Sequence, residues 1–185
     1  MMLALTLLMA AIPLSAEVKK TLYPNGKVKF ARTYENGKLN GNARAYYPSG
    51  KLKTDTTFVN GKVHGMTTGY YENGVTKAEI PMIHGKIDGY QKEFYPNTQL
   101  QSVSKYQKGI NVGSKKVYYP NGNLKAKLYF NEKGLLEGTA QEYYADGNKK
   151  YSVKMENGQP KTGYLYERNG DRRKMNGQDF AELGF

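Results

Sequence analysis

The chain of 185 residues carries a formal net charge of +12, 38% hydrophobic residues, 21 glycines, 17 tyrosines and no cysteine. The lack of cysteine excludes disulfide staples and thiolate metal sites. So low an apolar fraction, with Gly and Tyr in excess, argues against one thick hydrophobic core and for thin, sheet-like packing on aromatic and aliphatic stems.

Residues 1–16 are uncharged, apolar from Met2 to Ile12, and close on Pro13-Leu14-Ser15-Ala16. An apolar run of about ten residues is too short to span a bilayer, and its ending in a helix breaker and small residues is how a secretory signal peptide reads. Cleavage after Ala16 would leave Glu17 as the first residue. The expectation is therefore an exported chain (periplasm, cell surface or medium) with no transmembrane segment after cleavage. Leu14 is bulky for its place and a basic n-region is missing; a start codon upstream of Met1 would supply one. The bland alternative is a buried N-terminal strand or helix.

From Tyr23 onward one pattern repeats about every 24 residues: Tyr23-Pro24-Asn25-Gly26, Tyr47-Pro48-Ser49-Gly50, Tyr71-Glu72-Asn73-Gly74, Tyr95-Pro96-Asn97, Tyr119-Pro120-Asn121-Gly122, Tyr144-Ala145-Asp146-Gly147 and a worn copy at Tyr166–Gly170. Repeats at a fixed period of this length indicate an array, not a single globule. Within a unit, alternation sets Val28, Phe30, Arg32 and Tyr34 on one face and Lys29, Ala31 and Thr33 on the other; Leu52, Thr54, Thr56 and Phe58 repeat the first set, and Lys53, Asp55 and Thr57 the second. That is the period of half-buried antiparallel strands. Asn36-Gly37 and Asn60-Gly61 are strong hairpin signals, because both residue types tolerate positive φ. The expected fold is all-β: tandem 24-residue β-hairpins forming one elongated, twisted antiparallel sheet over 17–170, an open meander of six to seven hairpins, with 171–185 as a cap or tail. A repeat array needs an atypical end, and a short helix there would provide it.

The copies differ informatively. Pro81 removes a ladder donor, so pairing should be irregular near it. Asn97-Thr98 replaces Asn-Gly, and one extra residue enters as Asn131-Glu132-Lys133, which predicts a longer turn or bulge.

Asn60-Gly61-Lys62-Val63-His64-Gly65, followed by Tyr70-Tyr71-Glu72-Asn73-Gly74, resembles the MORN repeat, and the 24-residue spacing resembles its bacterial variant. The resemblance covers roughly residues 23–170. It departs from the usual motif in lacking the closely spaced Gly-x-Gly after the turn. It implies a bacterial source and a sheet of hairpins. It also implies roles in membrane-lipid contact, dimerisation, scaffolding or antitoxin-like neutralisation, none of which carries a catalytic motif.

The residues themselves offer no enzyme signature. His64 and His84 lie in different units and read as turn residues, no Ser sits in a Gly-x-Ser-x-Gly elbow, and no Gly-rich phosphate loop opens a helix. No catalytic, metal-binding or cofactor-binding residue is expected, and no cofactor. Counting three from each turn glycine gives Lys29, Lys53, Lys77, Gln101, Lys125 and Lys150. Stacked repeats would turn these into a ladder with roughly 10 Å between rungs, about one Debye length in physiological salt. Such a ladder suits an extended polyanion; equally, lysines keep a solvated sheet soluble and block edge pairing. Tyr47, Tyr71, Tyr95, Tyr119 and Tyr144, from the aromatic doublets, complete the candidate face, with packing as their competing role. The functional expectation is a non-enzymatic exported scaffold. Its basic, tyrosine-rich face would bind a protein or an anionic surface (lipid head groups or glycans), with no nucleic acid partner. The alternative is an antitoxin-like protein that captures a toxin directly.

Overall fold

The computed structural model describes residues 16–185; the leader reading lies outside the described residues except for Ala16. The described chain forms 15 antiparallel strands in one open sheet. They are β1 (Glu17–Leu22), β2 (Val28–Glu35), β3 (Lys38–Tyr46), β4 (Leu52–Val59), β5 (Lys62–Tyr70), β6 (Thr76–Ile83), β7 (Lys86–Ile87) and β8 (Gly89–Phe94), then β9 (Leu100–Gln107), β10 (Ile110–Tyr118), β11 (Leu124–Phe130), β12 (Gly138–Tyr143), β13 (Lys149–Glu156), β14 (Gln159–Tyr166) and β15 (Arg172–Lys174), followed by the helix α1 (Gly177–Glu182). Strands neighbour one another in sequence order, with the two-residue β7 paired only to β6. The tandem-hairpin sheet expected from the sequence is the fold observed.

Two turn types alternate. Hairpin turns at Asn36-Gly37, Asn60-Gly61, His84-Gly85, Lys108-Gly109 and Asn157-Gly158 have positive φ at both residues, the type I′ geometry whose twist matches the flanking strands. The Tyr-Pro-Asn-Gly turns are three-residue loops: Gly50 N–H donates to the Tyr47 carbonyl and Tyr47 N–H to the Lys51 carbonyl, both at 2.8 Å. Thr98 stands at the glycine position with φ +70°, an unfavourable place for a β-branched residue. The extra residue after Phe130 converts a two-residue turn into this second kind, with Gly134 N–H donating to the Asn131 carbonyl at 2.9 Å.

The irregularity expected at Pro81 falls on the neighbouring strand. The Pro81 carbonyl accepts the Asp88 N–H at 3.0 Å. In an antiparallel strand a residue's N and C=O point to the same edge, so the missing donor faces this side as well. There the partner breaks into β7 and β8, and β6 meets β8 through only Ala78↔Glu93 and Glu79↔Lys92.

Simple alternation from the turn glycine fails at one residue per unit. Ala45 pairs with Thr54 but Tyr46 with Leu52, so Lys53 is an unpaired bulge residue. The same slip skips Lys29, Lys77, Gln101, Lys125 and Lys150. A bulge flips the side-chain order. Leu52, Val28 and Leu124 therefore lie on the face opposite Thr54, Phe30 and Ala126, not beside them as alternation predicts. Beyond the bulge the predicted order holds. One face, here called inner, carries Phe30, Phe58, Ile80, Met82, Leu128, Val153 and Met155. Phe58, Met82, Tyr106, Phe130 and Met155 each stand opposite a positive-φ glycine: Gly41, Gly65, Gly89, Gly113 and Gly138.

The inner face is sealed at the C-terminal end. Asn176 caps α1 and shares a capping box with Asp179, a pairing that satisfies two orphan N–H groups. The helix brings Phe180 and Leu183 onto Ala140, Val153, Met155 and Met175, the buried cluster among the described residues. Close approach requires Gly163, where a Cβ would collide with the Met175 sulfur and come within 2.9 Å of the Phe180 ring.

Candidate binding surface

The predicted lysine ladder sits on the bulges. Lys29 Nζ lies 5.6 Å from the Tyr23 ring centroid, Lys53 5.5 Å from Tyr47, Lys77 5.6 Å from Tyr71 and Lys125 5.6 Å from Tyr119. Lys29 also lies 5.6 Å from the Phe30 ring, which puts the ladder on the inner side, not with Ala31 and Asp55. Each exposed cation–π contact contributes about 0.5–1 kcal/mol and holds the ammonium over a ring while leaving it open to solvent. Gln101 leaves a gap above Tyr95. Lys150 leaves the row: its ammonium pairs with Glu142 at 3.1 Å, and Arg168 covers the Tyr144 ring at 5.0 Å.

The tyrosines are clips between repeats. The hydroxyls of Tyr23, Tyr47, Tyr71, Tyr95 and Tyr119 donate to the carbonyls of Tyr46, Tyr70, Phe94, Tyr118 and Tyr143, at 2.7 to 2.9 Å. Each ring is thus fixed to the following repeat, and all but Tyr95 present a face to a lysine. Tyr23, absent from the predicted set, is the first rung; its place at the head of the first Tyr-Pro-Asn-Gly turn was the available signal.

The inner face of the N-terminal half is open. Phe30, Arg32, Phe58, Val63, Ile80 and Met82 line a groove of about 460 Å³ together with small residues such as Ala43 and Ala45. On the outer face of this half two ion pairs form: Arg44 with Asp55 at 3.1 Å and Lys92 with Glu79 at 3.5 Å.

His64 and His84, read from sequence as separate turn residues, come together with ring centroids 5.1 Å apart. The structure repeats this contact with other chemistry. The main-chain N–H of Asn60, Lys108 and Asn157 donates to the side chain of Asn40, Asp88 and Glu137, each 20 residues earlier. His64 occupies the acceptor position toward His84, yet its buried Nδ1 has no hydrogen-bond partner. Among the described residues no group of three metal-ligating side chains occurs, and no helix is long and apolar enough to cross a membrane.

The hydrogen bond to Asp55 raises the Arg44 guanidinium in the N-terminal half; the larger perturbations lie at the capped end. Burial, and then the charge of Glu142, push the Tyr151 hydroxyl up to about 12. Arg173 donates to both carboxylate oxygens of Asp179 at 2.7 Å; with the Asn176 N–H it holds that carboxyl down to about 2. These groups fasten the cap and face no open cavity.

The family model for the MORN repeat variant matches residues 18–36, 39–60, 63–84, 111–132 and 136–157, more than half of the chain. The unmatched stretch 85–110 contains the broken β7–β8 segment and Thr98. No curated protein matches the chain. Among solved structures it is similar to a chain in "Crystal structure of GtfA/B complex bound to UDP and GlcNAc", with 12% identity, 95% of this chain and 27% of that chain covered, and a TM-score of 0.21. The chain thus spans about a quarter of that chain's length, and a likeness at this score carries no argument. Five matches at the repeat period, on a sheet built of tandem hairpins, show that the chain belongs to the MORN repeat variant family.

Proposed function

We propose that this protein is an exported, non-enzymatic scaffold that binds an anionic surface or another macromolecule through its lysine-and-tyrosine row. The observation that carries the reading is the recurrence of one arrangement, a bulge lysine held over a clipped tyrosine, at Lys29, Lys53, Lys77 and Lys125. Repetition at about 10 Å intervals makes many weak contacts additive along the sheet. A stable, repeated placement of charge costs little ordering on binding, because the rings already hold the ammonium groups.

Cell fractionation with mass spectrometry of the mature N-terminus tests export: Glu17 at the start of an envelope or secreted form is expected, and an intact Met1 form in the cytoplasm would refute it. Co-sedimentation with envelope fragments and with anionic vesicles tests the row. The quadruple variant Lys29→Gln/Lys53→Gln/Lys77→Gln/Lys125→Gln is expected to lose most of the binding. Undiminished binding by that variant would refute the row as the contact.

The open inner groove favours a second reading, capture of a protein partner in the antitoxin-like manner. Tight, salt-insensitive binding to one protein, abolished by Phe58→Asp, is its expected signature.

A further inference from the structure

Between Glu93 and Glu132 the chain contains no acidic residue and six lysines, Lys105, Lys108, Lys115, Lys116, Lys125 and Lys127. The register places three of these on the outer face, away from α1 and from the ladder. Lys116 stands directly opposite Lys127 on β10 and β11, and Lys105 lies one strand further on β9, opposite Tyr90 of β8. All three are exposed, and none has an ion-pair partner among the described residues. Like charges directly opposed in a sheet are destabilising, and here no carboxylate relieves them, in contrast to the Arg44–Asp55 and Glu79–Lys92 pairs of the preceding strands. Two exposed tyrosines flank the lysines: Tyr90 is 54% and Tyr129 50% exposed. They stand on β8 and β11, three interstrand spacings or roughly 14 Å apart.

We infer that this outer patch, centred on Lys105, Lys116 and Lys127 between Tyr90 and Tyr129, is a binding site for an acidic polysaccharide. A single carboxylate or sulfate lying between Lys116 and Lys127 relieves the opposed charges, and the next acidic sugar meets Lys105. The two exposed tyrosines supply an aromatic ring at either end, against which the apolar faces of sugar rings stack. A linear acidic glycan crossing four strands satisfies both sets at once. A membrane surface fits less well, because the patch has no cluster of protruding apolar side chains to enter the lipid. A nucleic acid fits less well because every cation is Lys, which lacks the planar fork of Arg for phosphate. The site is independent of the ladder on the other side of the sheet.

The test is titration of the full chain with short oligogalacturonates. Neutral dextran oligomers, a single-stranded oligonucleotide and phosphatidylglycerol vesicles serve as competing probes. Lys116→Gln/Lys127→Gln and, separately, Tyr90→Ala/Tyr129→Ala are each expected to weaken oligogalacturonate binding about tenfold, through loss of the charge pair and of the stacking faces respectively. Lys38→Gln/Lys62→Gln, which removes two exposed lysines beside hairpin turns of the N-terminal half, is expected to leave it within about twofold, since those charges lie more than a Debye length from the patch. The thermal midpoint of Lys116→Gln/Lys127→Gln is expected to equal or exceed that of the parent, because the repulsion is gone. Equal or tighter binding of the oligonucleotide or the vesicles would overturn the assignment. So would equal loss in the Lys38→Gln/Lys62→Gln variant, no loss in the patch variants, or a lowered midpoint for Lys116→Gln/Lys127→Gln.

Discussion

Met155 and Met82 occupy the same place in their repeats, eleven residues beyond Tyr144 and Tyr71, yet Met155 is 1% exposed and Met82 only half-buried. Both stand opposite a repeat glycine on the inner face. The difference is the non-repeating tail: α1 lies over Met155, and nothing in the described chain lies over Met82. A repeat supplies half of a core, and here a short helix supplies the other half at one end only. The contrast separates a sealed, stability-bearing C-terminal end from an N-terminal half whose inner face is open.

The largest expected effect follows from that contrast. Met155→Ala is expected to destabilise by about 3 kcal/mol, through lost burial and the cavity left behind. Met82→Ala, at the open end, is expected to cost only about 1 kcal/mol, in proportion to the smaller area it removes from water. Chemical denaturation of both variants checks this, and equal costs would show that α1 does not seal Met155 from water. Gly163→Ala is expected to cost about 1–2 kcal/mol by forcing Met175 and Phe180 off the sheet. Amide exchange should then rise in α1 and β15 while β2–β6 stay unchanged. At the other extreme, Thr98→Gly relieves a left-handed β-branched residue and is expected to stabilise by about 1 kcal/mol, read as an upward shift of the denaturation midpoint.

Two titrations sharpen the contrast through pH. The Asp179 carboxyl is depressed to about 2 in the folded chain, so its contribution is present above the ordinary carboxylate range and is lost as pH falls from about 4 to about 2. The Tyr151 hydroxyl is raised to about 12; its contribution is complete below about pH 10 and disappears as pH rises from there toward 12. Both groups belong to the capped end, so acid and alkali should loosen that end first, as seen by amide exchange or by the near-ultraviolet signal of its tyrosines. Arg173→Gln is expected to move the acid limb toward ordinary carboxylate pH.

Much of the fold was legible from the chain because the Tyr-Pro-Asn-Gly and Asn-Gly turns each have a backbone requirement that few residues meet. Thr98 shows the requirement persisting where the residue does not suit it. The faces were only partly legible. Leu52-Lys53-Thr54 reads as continuous alternation, but the bulge at Lys53 turns Leu52 to the outer side, and one slipped residue reverses every assignment before it. The signal was present in the repeated order of an aliphatic residue, a lysine and then the inner-face run (Val28-Lys29-Phe30, Leu124-Lys125-Ala126). The lysines were therefore assigned to the wrong face, and Lys150 was counted among them although it pairs with Glu142. The His64–His84 contact was hidden because it spans the offset of 20 residues between neighbouring turns, not the repeat period of 24. The capping box at Asn176 and Asp179 has a recognisable spacing, but what α1 covers depends on the sheet beneath it.

Attraction between the exposed lysines of the open sheet and an anionic surface is read out by the salt dependence of binding to anionic envelope fragments. As salt rises from about 0.1 M to about 1 M the Debye length contracts from roughly 10 Å to 3 Å, and affinity is expected to fall steeply. The Lys29→Gln/Lys53→Gln/Lys77→Gln/Lys125→Gln variant should show a shallower slope. Affinity that stays constant across that range, or a slope unchanged in the variant, would contradict it.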